Sequence, residues 1–243
     1  MNLSLIAPAS GAVPPALSAW RSTHHESAIA DIQRFRGRIY VHDEALPLSA
    51  LDSSGRHCSD LDYQSWHIVA RDAEGHICGV MRMPIYPIDT PIESLLLHKT
   101  LERMEPDRRR LYTYTAQRFI DRSTARGYTH LCEAGGWAVD KHRCDRNTGL
   151  SLAAASWMLL RCFGQGICLS TVTVKHHAAD LLKRMGGFNE LEGTPHARFH
   201  DPFFRCDIEL VFFHADIINP AFEEPLGNAR RVLLGEVGVS TLQ

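Results

Sequence analysis

Apolar residues recur along this chain in two rhythms. Ile29, Ile32, Phe35 and Ile39 fall at helical spacing, and Thr23 with Glu26 is spaced as a capping box, which predicts a helix from about residue 23. A β-rich run at 66–70, turn formers from Asp72 to Gly75 and a second run at 76–83 predict a hairpin. Thr90, Pro91 and Glu93 then have the arrangement of a helix start, with Ile92, Leu95, Leu96 and Leu101 as its apolar stripe. Residues 107–126 read as another helix, with Arg108, Arg109 and Arg110 at its beginning and Gly127 behind it.

The second half alternates between the rhythms. Strands are expected at 130–133, 137–139 and 167–174, and again at 188–191 and 206–214. Helices are expected at 149–163 and 178–185, the latter closed by Gly186 and Gly187. No repeat or internal linker interrupts the pattern. The expectation is a single α/β domain, with a central mixed sheet of six to seven strands flanked by helices. It spans 23–216, between a loose lead-in at 1–22 and a tail at 217–243.

Composition narrows the classes. Of 243 residues, 44% are hydrophobic and 22% charged, which excludes a disordered or fibrous chain. The net charge of −2 argues against a nucleic-acid partner. Seven cysteines without a CxxC pair give neither a zinc ribbon nor a thioredoxin motif and suit a reducing, cytoplasmic setting. The apolar N-terminus lacks a basic region and is broken by Pro8, Pro14 and Pro15, so it makes a poor signal peptide. No run of 18 apolar residues is present, and no transmembrane segment is expected. Fourteen histidines invite a metal hypothesis, but HExxH and Cys/His ligand sets are missing, and His196 and His200 sit among prolines and glycine. No metal is expected.

The densest chemical signal is Arg146-Asn-Thr-Gly149-Leu-Ser151, between a strand and a helix. Small residues at a helix N-terminus can turn backbone N–H groups onto a phosphate, with Lys141, Arg143 and Arg146 as supporting cations. An ordinary helix start explains the same residues equally well.

The loop resembles the acyl-donor loop of the GNAT acyltransferase superfamily, [QR]-x-x-G-x-[GA], with Ser151 at the last position. Downstream, Ala179, Leu182, Gly187 and Phe188 fit the superfamily's N-x-x-A-x-x-L-Y-x-x-x-G-F in register, with His176 at the Asn and Lys183 at the Tyr position. That Tyr commonly serves as general acid. The N-terminal half is similar to the acyl-homoserine-lactone synthases and long-chain N-acyl amino acid synthases, a bacterial branch that takes its acyl group from acyl carrier protein. Arg36 and Tyr40 match the Arg and aromatic of its early helix, Asp60 and Asp62 its carboxylate pair, Arg82 its strand-end Arg, and Glu133 the Glu before the phosphate loop. Where the lactone synthases place an Arg three residues after that Glu, this chain has Gly136, and their Trp after the first helix has no counterpart.

The resemblance implies an N-acyltransferase moving a medium or long acyl chain from acyl carrier protein or acyl-CoA to the amine of a small acceptor such as an amino acid. No cofactor would be permanently bound, and the lipid product could associate with membranes. Glu133 is the candidate base, or else only braces Arg82 or Arg36. Arg36 and Arg82 would hold a substrate carboxylate, or brace Asp60 and Asp62. Tyr40 and Trp66 would wall the acceptor pocket, or simply fill the core. Trp137, Ala138 and Val139 would bond the pantetheine through their backbone, and Arg143, Arg146, Asn147, Thr148, Gly149, Leu150 and Ser151 would hold its phosphate. Cys132 and Cys144 are weaker candidates as nucleophiles. The alternative is a silent module that binds an acyl carrier or CoA without turnover.

Overall fold

The computed structural model describes residues 1–10, 13–20, 24–191, 194–195 and 198–235. The first helical rhythm becomes α1 (His25–His42), whose buried face carries Gln33 and Arg36 among its isoleucines and Phe35. Thr23, expected to open it, lies outside the described residues, as does His196. The expected hairpin is present as β2 (Trp66–Arg71) and β3 (Ile77–Met83), paired antiparallel, and a short β4 (Ile85–Pro87) follows.

The helix expected from Thr90 begins later. Residues 92–94 form one 3-10 turn, Leu95 is extended, and α2 (Leu96–Leu101) starts beyond it. The cause is tertiary: the carboxylate of Glu133 accepts the amides of Leu96 and Leu97, which fixes where the helix opens. Next come α3 (Pro106–Ala125), β5 (His130–Glu133), β6 (Gly135–Val139), α4 (Thr148–Cys162), β7 (Gly166–Thr173) and α5 (Ala178–Met185). The strand expected at 188–191 shrinks to β8 (Glu190–Leu191), hairpinned with β9 (Thr194–Pro195), while Phe188 bridges Phe212. The chain closes with β10 (Phe199–Asp201), β11 (Cys206–His214) and α6 (Glu223–Leu233).

The lead-in and the tail both carry structure. Residues 2–6 form β1 (Asn2–Ile6), which pairs with β2 from Asn2 opposite Arg71 to Ile6 opposite His67. The C-terminal segment contributes α6, packed on α4. Both bury apolar groups (Leu5 and Ile6, Leu226 and Leu233) that are too few to read as elements in isolation.

Apart from the two-stranded β8–β9 hairpin, the strands form two sheets. β1-β2-β3-β6 is antiparallel throughout, and β10-β11-β7-β5-β4 is mixed, with β5 and β7 parallel. Among the described residues no ladder joins β6 to β7, so the α/β layer is split there. Helix α1 covers one face of the first sheet through Ile29, Ile32, Phe35 and Ile39, which pack with Val69 and Val80. Helix α4 is apolar nearly all round and lies in the central core, where Trp157 stacks on Phe213 at 3.8 Å. Helices α2 and α3 cover the second sheet through Leu97, Leu101, Tyr112 and Phe119.

Candidate functional site

The split between β6 and β7 opens a cavity of about 1170 Å³. That is larger than the several hundred Å³ typical of small-ligand pockets and has room for an extended ligand. Its wall brings together Arg36, Tyr40, Arg82 and Glu133 at one region and Trp137, Ala138, Val139, Arg146, Gly149 and Leu150 at another.

The polar centre is Asp62, fully buried in the loop before β2. Arg36 grips it with two bonds, Nη1 to Oδ1 at 3.0 Å and Nη2 to Oδ2 at 2.7 Å. Arg82 Nη1 donates to Oδ1 at 3.1 Å, Gln33 Nε2 to Oδ2 at 2.9 Å, and the Ser59 amide to Oδ2 at 3.0 Å. Burial alone would raise this carboxyl, but the hydrogen bond from Arg36 and the charges of both guanidinium groups hold it well below the usual range. Two buried cations thus face one buried anion. Arg36 spends four of its five donors on Asp62 and His57, whereas Arg82 keeps a buried Nε without a partner and stands on the cavity wall.

Arg36 is 1% exposed, although helix arginines are usually solvated. The signal was in its spacing: it lies four after Ile32 and three before Ile39, on the apolar stripe. Asp60, its proposed partner carboxylate, is exposed at the cavity edge.

Glu133 ends β5 where the sheets diverge, and its neighbour Ala134 accepts a bond from Ser170 Oγ on β7 at 2.8 Å. Its carboxylate makes no ion pair with Arg36 or Arg82. Instead Oε2 accepts Leu96 N at 2.8 Å and Oε1 accepts Leu97 N at 2.6 Å. Burial pushes its pKa up, opposed by those two amides and by the charge of Arg82. The side chain is therefore both the cap of α2 and a cavity-lining carboxylate with raised proton affinity.

Gly136 has φ +61°, and a Cβ there would stand 3.1 Å from Arg82 Cβ and 3.2 Å from Arg36 Nη1. The position cannot hold a side chain without displacing the two arginines, which accounts for glycine here.

At the α4 end, Thr148 N and Ser151 N are taken by Asp145 O and Asn147 O, while Gly149 and Leu150 between them line the cavity. Arg146 also lines it. Trp137 adds a feature beyond the expected backbone bonds: its indole Nε1–H is buried on the cavity wall with no acceptor.

Several expected residues are elsewhere. Trp66 is 2% exposed in the central core, edge-on to Phe163, and is not part of the wall. Arg143 turns to the β2–β3 turn, 3.6 Å from Asp72 and 3.3 Å from His76 Nδ1. Thr148 is buried, and Asn147 and Ser151 are off the cavity wall. Lys183 is bound to the buried Glu209 at 2.8 Å and does not face the cavity. Cys132 is buried and its thiol raised far up by burial, which does not suit a nucleophile. Among the described residues one carboxylate–imidazole grouping gathers, Asp72, Glu74 and His76. It is a turn in which Asp72 accepts the amides of Glu74 and His76.

Sequence reading missed His57. It lines the cavity, accepts Arg36 Nε at Nδ1 and stands edge-on to Tyr40 with ring centres 5.4 Å apart. Nothing in its loop, whose neighbours are polar turn residues, marked it out.

No protein-family model matches the chain, and no curated protein matches it. Solved structures do resemble it. BjaI, a CoA-dependent acyl-homoserine lactone synthase solved with SAM and isopentyl-CoA, superposes with a TM-score of 0.54 at 13% identity, covering 96% of this chain and 89% of its own. FeeM, an N-acyl amino acid synthase from uncultured soil microbes, gives 0.51 at 12%, covering 80% and 87%. An arylalkylamine N-acetyltransferase of the yellow fever mosquito gives 0.53 at 15%, covering 79% and 85%. At these identities the likeness is one of fold: the chain shares the mixed α/β fold of these three acyltransferase structures.

Proposed function

We propose that this protein is an N-acyltransferase moving a medium or long acyl chain from acyl carrier protein or acyl-CoA to the amine of a small acceptor such as an amino acid. One observation carries the reading: a single cavity joins the first turn of α4 to the Arg36, Arg82 and Glu133 cluster through the gap between β6 and β7. A phosphopantetheine arm could lie along that gap, its phosphate at the Gly149 and Leu150 amides with Arg146, and an amide oxygen on Trp137 Nε1–H. The apolar wall, including Leu97, Leu169, Ile208 and Phe213, suits an acyl chain. At the other region Arg82 retains donors for a carboxylate. The attacking amine must lose a proton, and Glu133, whose proton affinity is raised by burial, would receive it directly or through water. Proximity of amine and thioester would supply much of the remaining acceleration.

BjaI and FeeM support the class of reaction by their fold. Mass spectrometry of lipids from bacteria expressing the chain, against cells with an empty vector, tests it. An N-acylated amine present only in the expressing cells is the expected result. Binding of an acyl thioester without any product in extract or assay would replace the reading by that of a silent carrier-binding module.

A further inference from the structure

His57 is held rigidly from both sides of its backbone. Gly37 on α1 lets the loop sit against the helix: a Cβ there would be 2.9 Å from Gly55 O and 3.2 Å from His57 N. The His57 amide donates to Gln33 O at 3.1 Å, and Arg36 Nη2 donates to His57 O at 2.6 Å.

The ring is fixed as firmly. Arg36 Nε donates to Nδ1 at 3.1 Å. A guanidinium only donates, so Nδ1 must carry the lone pair and the single ring proton sits on Nε2. Burial first, and then the charges of Arg36 and Arg82, lower the pKa of the imidazole to about 4, and a second proton would also break that bond. Among the described residues nothing accepts Nε2–H, and His57 lines the cavity, as do Arg36 and Arg82. His57 therefore cannot accept a proton from the amine at Nε2. It can only donate a hydrogen bond there.

We propose that His57 is a specificity-determining residue whose fixed, neutral Nε2–H binds a carboxyl oxygen of the amine acceptor. This rests on the acyltransfer reading above and adds to Arg82 a second, uncharged contact to the same group.

The experiment uses lauroyl-CoA with an equimolar amino acid mixture, then the best-used amino acid beside the amine that lacks its carboxyl. His57→Asn keeps an acceptor for Arg36 Nε but loses the cavity donor, whereas His57→Gln can place an amide N–H near the Nε2 position. His57→Asn should raise the acceptor KM about 10-fold while kcat and the donor KM change little, and His57→Gln should recover most of the loss. With the decarboxylated amine, wild type and His57→Asn should have equal KM. Independently of any variant, nitrogen NMR of the wild type should show His57 neutral and protonated at Nε2. An unchanged acceptor KM, an equal penalty with the decarboxylated amine, a loss confined to kcat, or an Nδ1-protonated ring would each overturn the assignment. Absence of product from the wild type with every amine would remove the acyltransfer reading and this one with it. Product formed with unaltered KM removes His57 alone.

Discussion

At the scale of single residues, Glu133 does two jobs that a conservative substitution would separate. Glu133→Gln keeps the volume but sets an amide NH₂ against one of two backbone donors, so α2 loses part of its cap. A stability loss of about 1–3 kcal/mol is expected from that mismatch. If Glu133 is also the base, kcat should fall about 10²-fold or more, and the deficit should shrink at high pH where free amine is abundant. A stability loss with kcat intact would leave Glu133 as a cap only.

The buried histidines set a second prediction. His67 is fully buried against Asp62 O at 2.8 Å, and both His57 and His67 are lowered to about 4, chiefly by burial. Their folded pKa lies below the unfolded value of about 6.5, so the unfolded chain takes up protons first as pH falls. Their stabilisation is complete above about 6.5 and is lost between there and about 4. The loss should be on the order of 3 kcal/mol for His67 and less for half-buried His57. Denaturant midpoints measured from pH 7 to pH 4 should fall through that window, and His67→Gln should flatten the slope. A pH-independent midpoint would contradict both assignments.

At the scale of elements, the first turn of α4 is where a donor phosphate is expected. A Cβ at Gly149 would meet only Trp137 Cζ2, at 3.7 Å, so the fold tolerates a side chain there. Gly149→Glu should leave the Tm of the unliganded protein nearly unchanged yet abolish the Tm increase that an acyl-CoA gives the wild type, because a ligand stabilises only the state that binds it. A preserved increase in the variant would move the phosphate away from α4. Helix α1 illustrates a different rule: its buried face carries an arginine because a buried aspartate from another loop meets it, so the pair is stable only once both elements are docked.

At the scale of the whole molecule, the near-neutral chain concentrates cations around the cavity. Lys141, Arg146, Lys175 and Arg184 line it, in place of the Arg143 and Lys183 that turn to other carboxylates. A carrier protein presents an acidic helix, so acyl carrier protein should outcompete the matching acyl-CoA, by a margin that shrinks as salt rises. Equal use of the two donors at every ionic strength would exclude carrier-protein docking on this rim. Among the described residues no helix is long and apolar enough to cross a membrane.

Local pattern alone determined the elements whose stability is local. The β2–β3 hairpin with its Asp72–Gly75 turn, helices α3 and α5, and strand β11 stand close to where periodicity and turn residues placed them, because burial of one face leaves its period in the order of residues. The Arg36, Arg82 and Glu133 positions were legible through motif resemblance, and the cavity wall includes all three. Tertiary structure decided the rest. The opening of α2 depends on a carboxylate 36 residues away, β1 is a strand only because β2 offers it a ladder, and Trp66 enters the core because the sheet turns it there. The same holds for the split between β6 and β7 and for the tautomer of His57, which is dictated by a guanidinium from α1. Such features arise from hydrogen bonds and packing between distant segments, whose partners have no fixed separation along the chain and so leave no period in it to read.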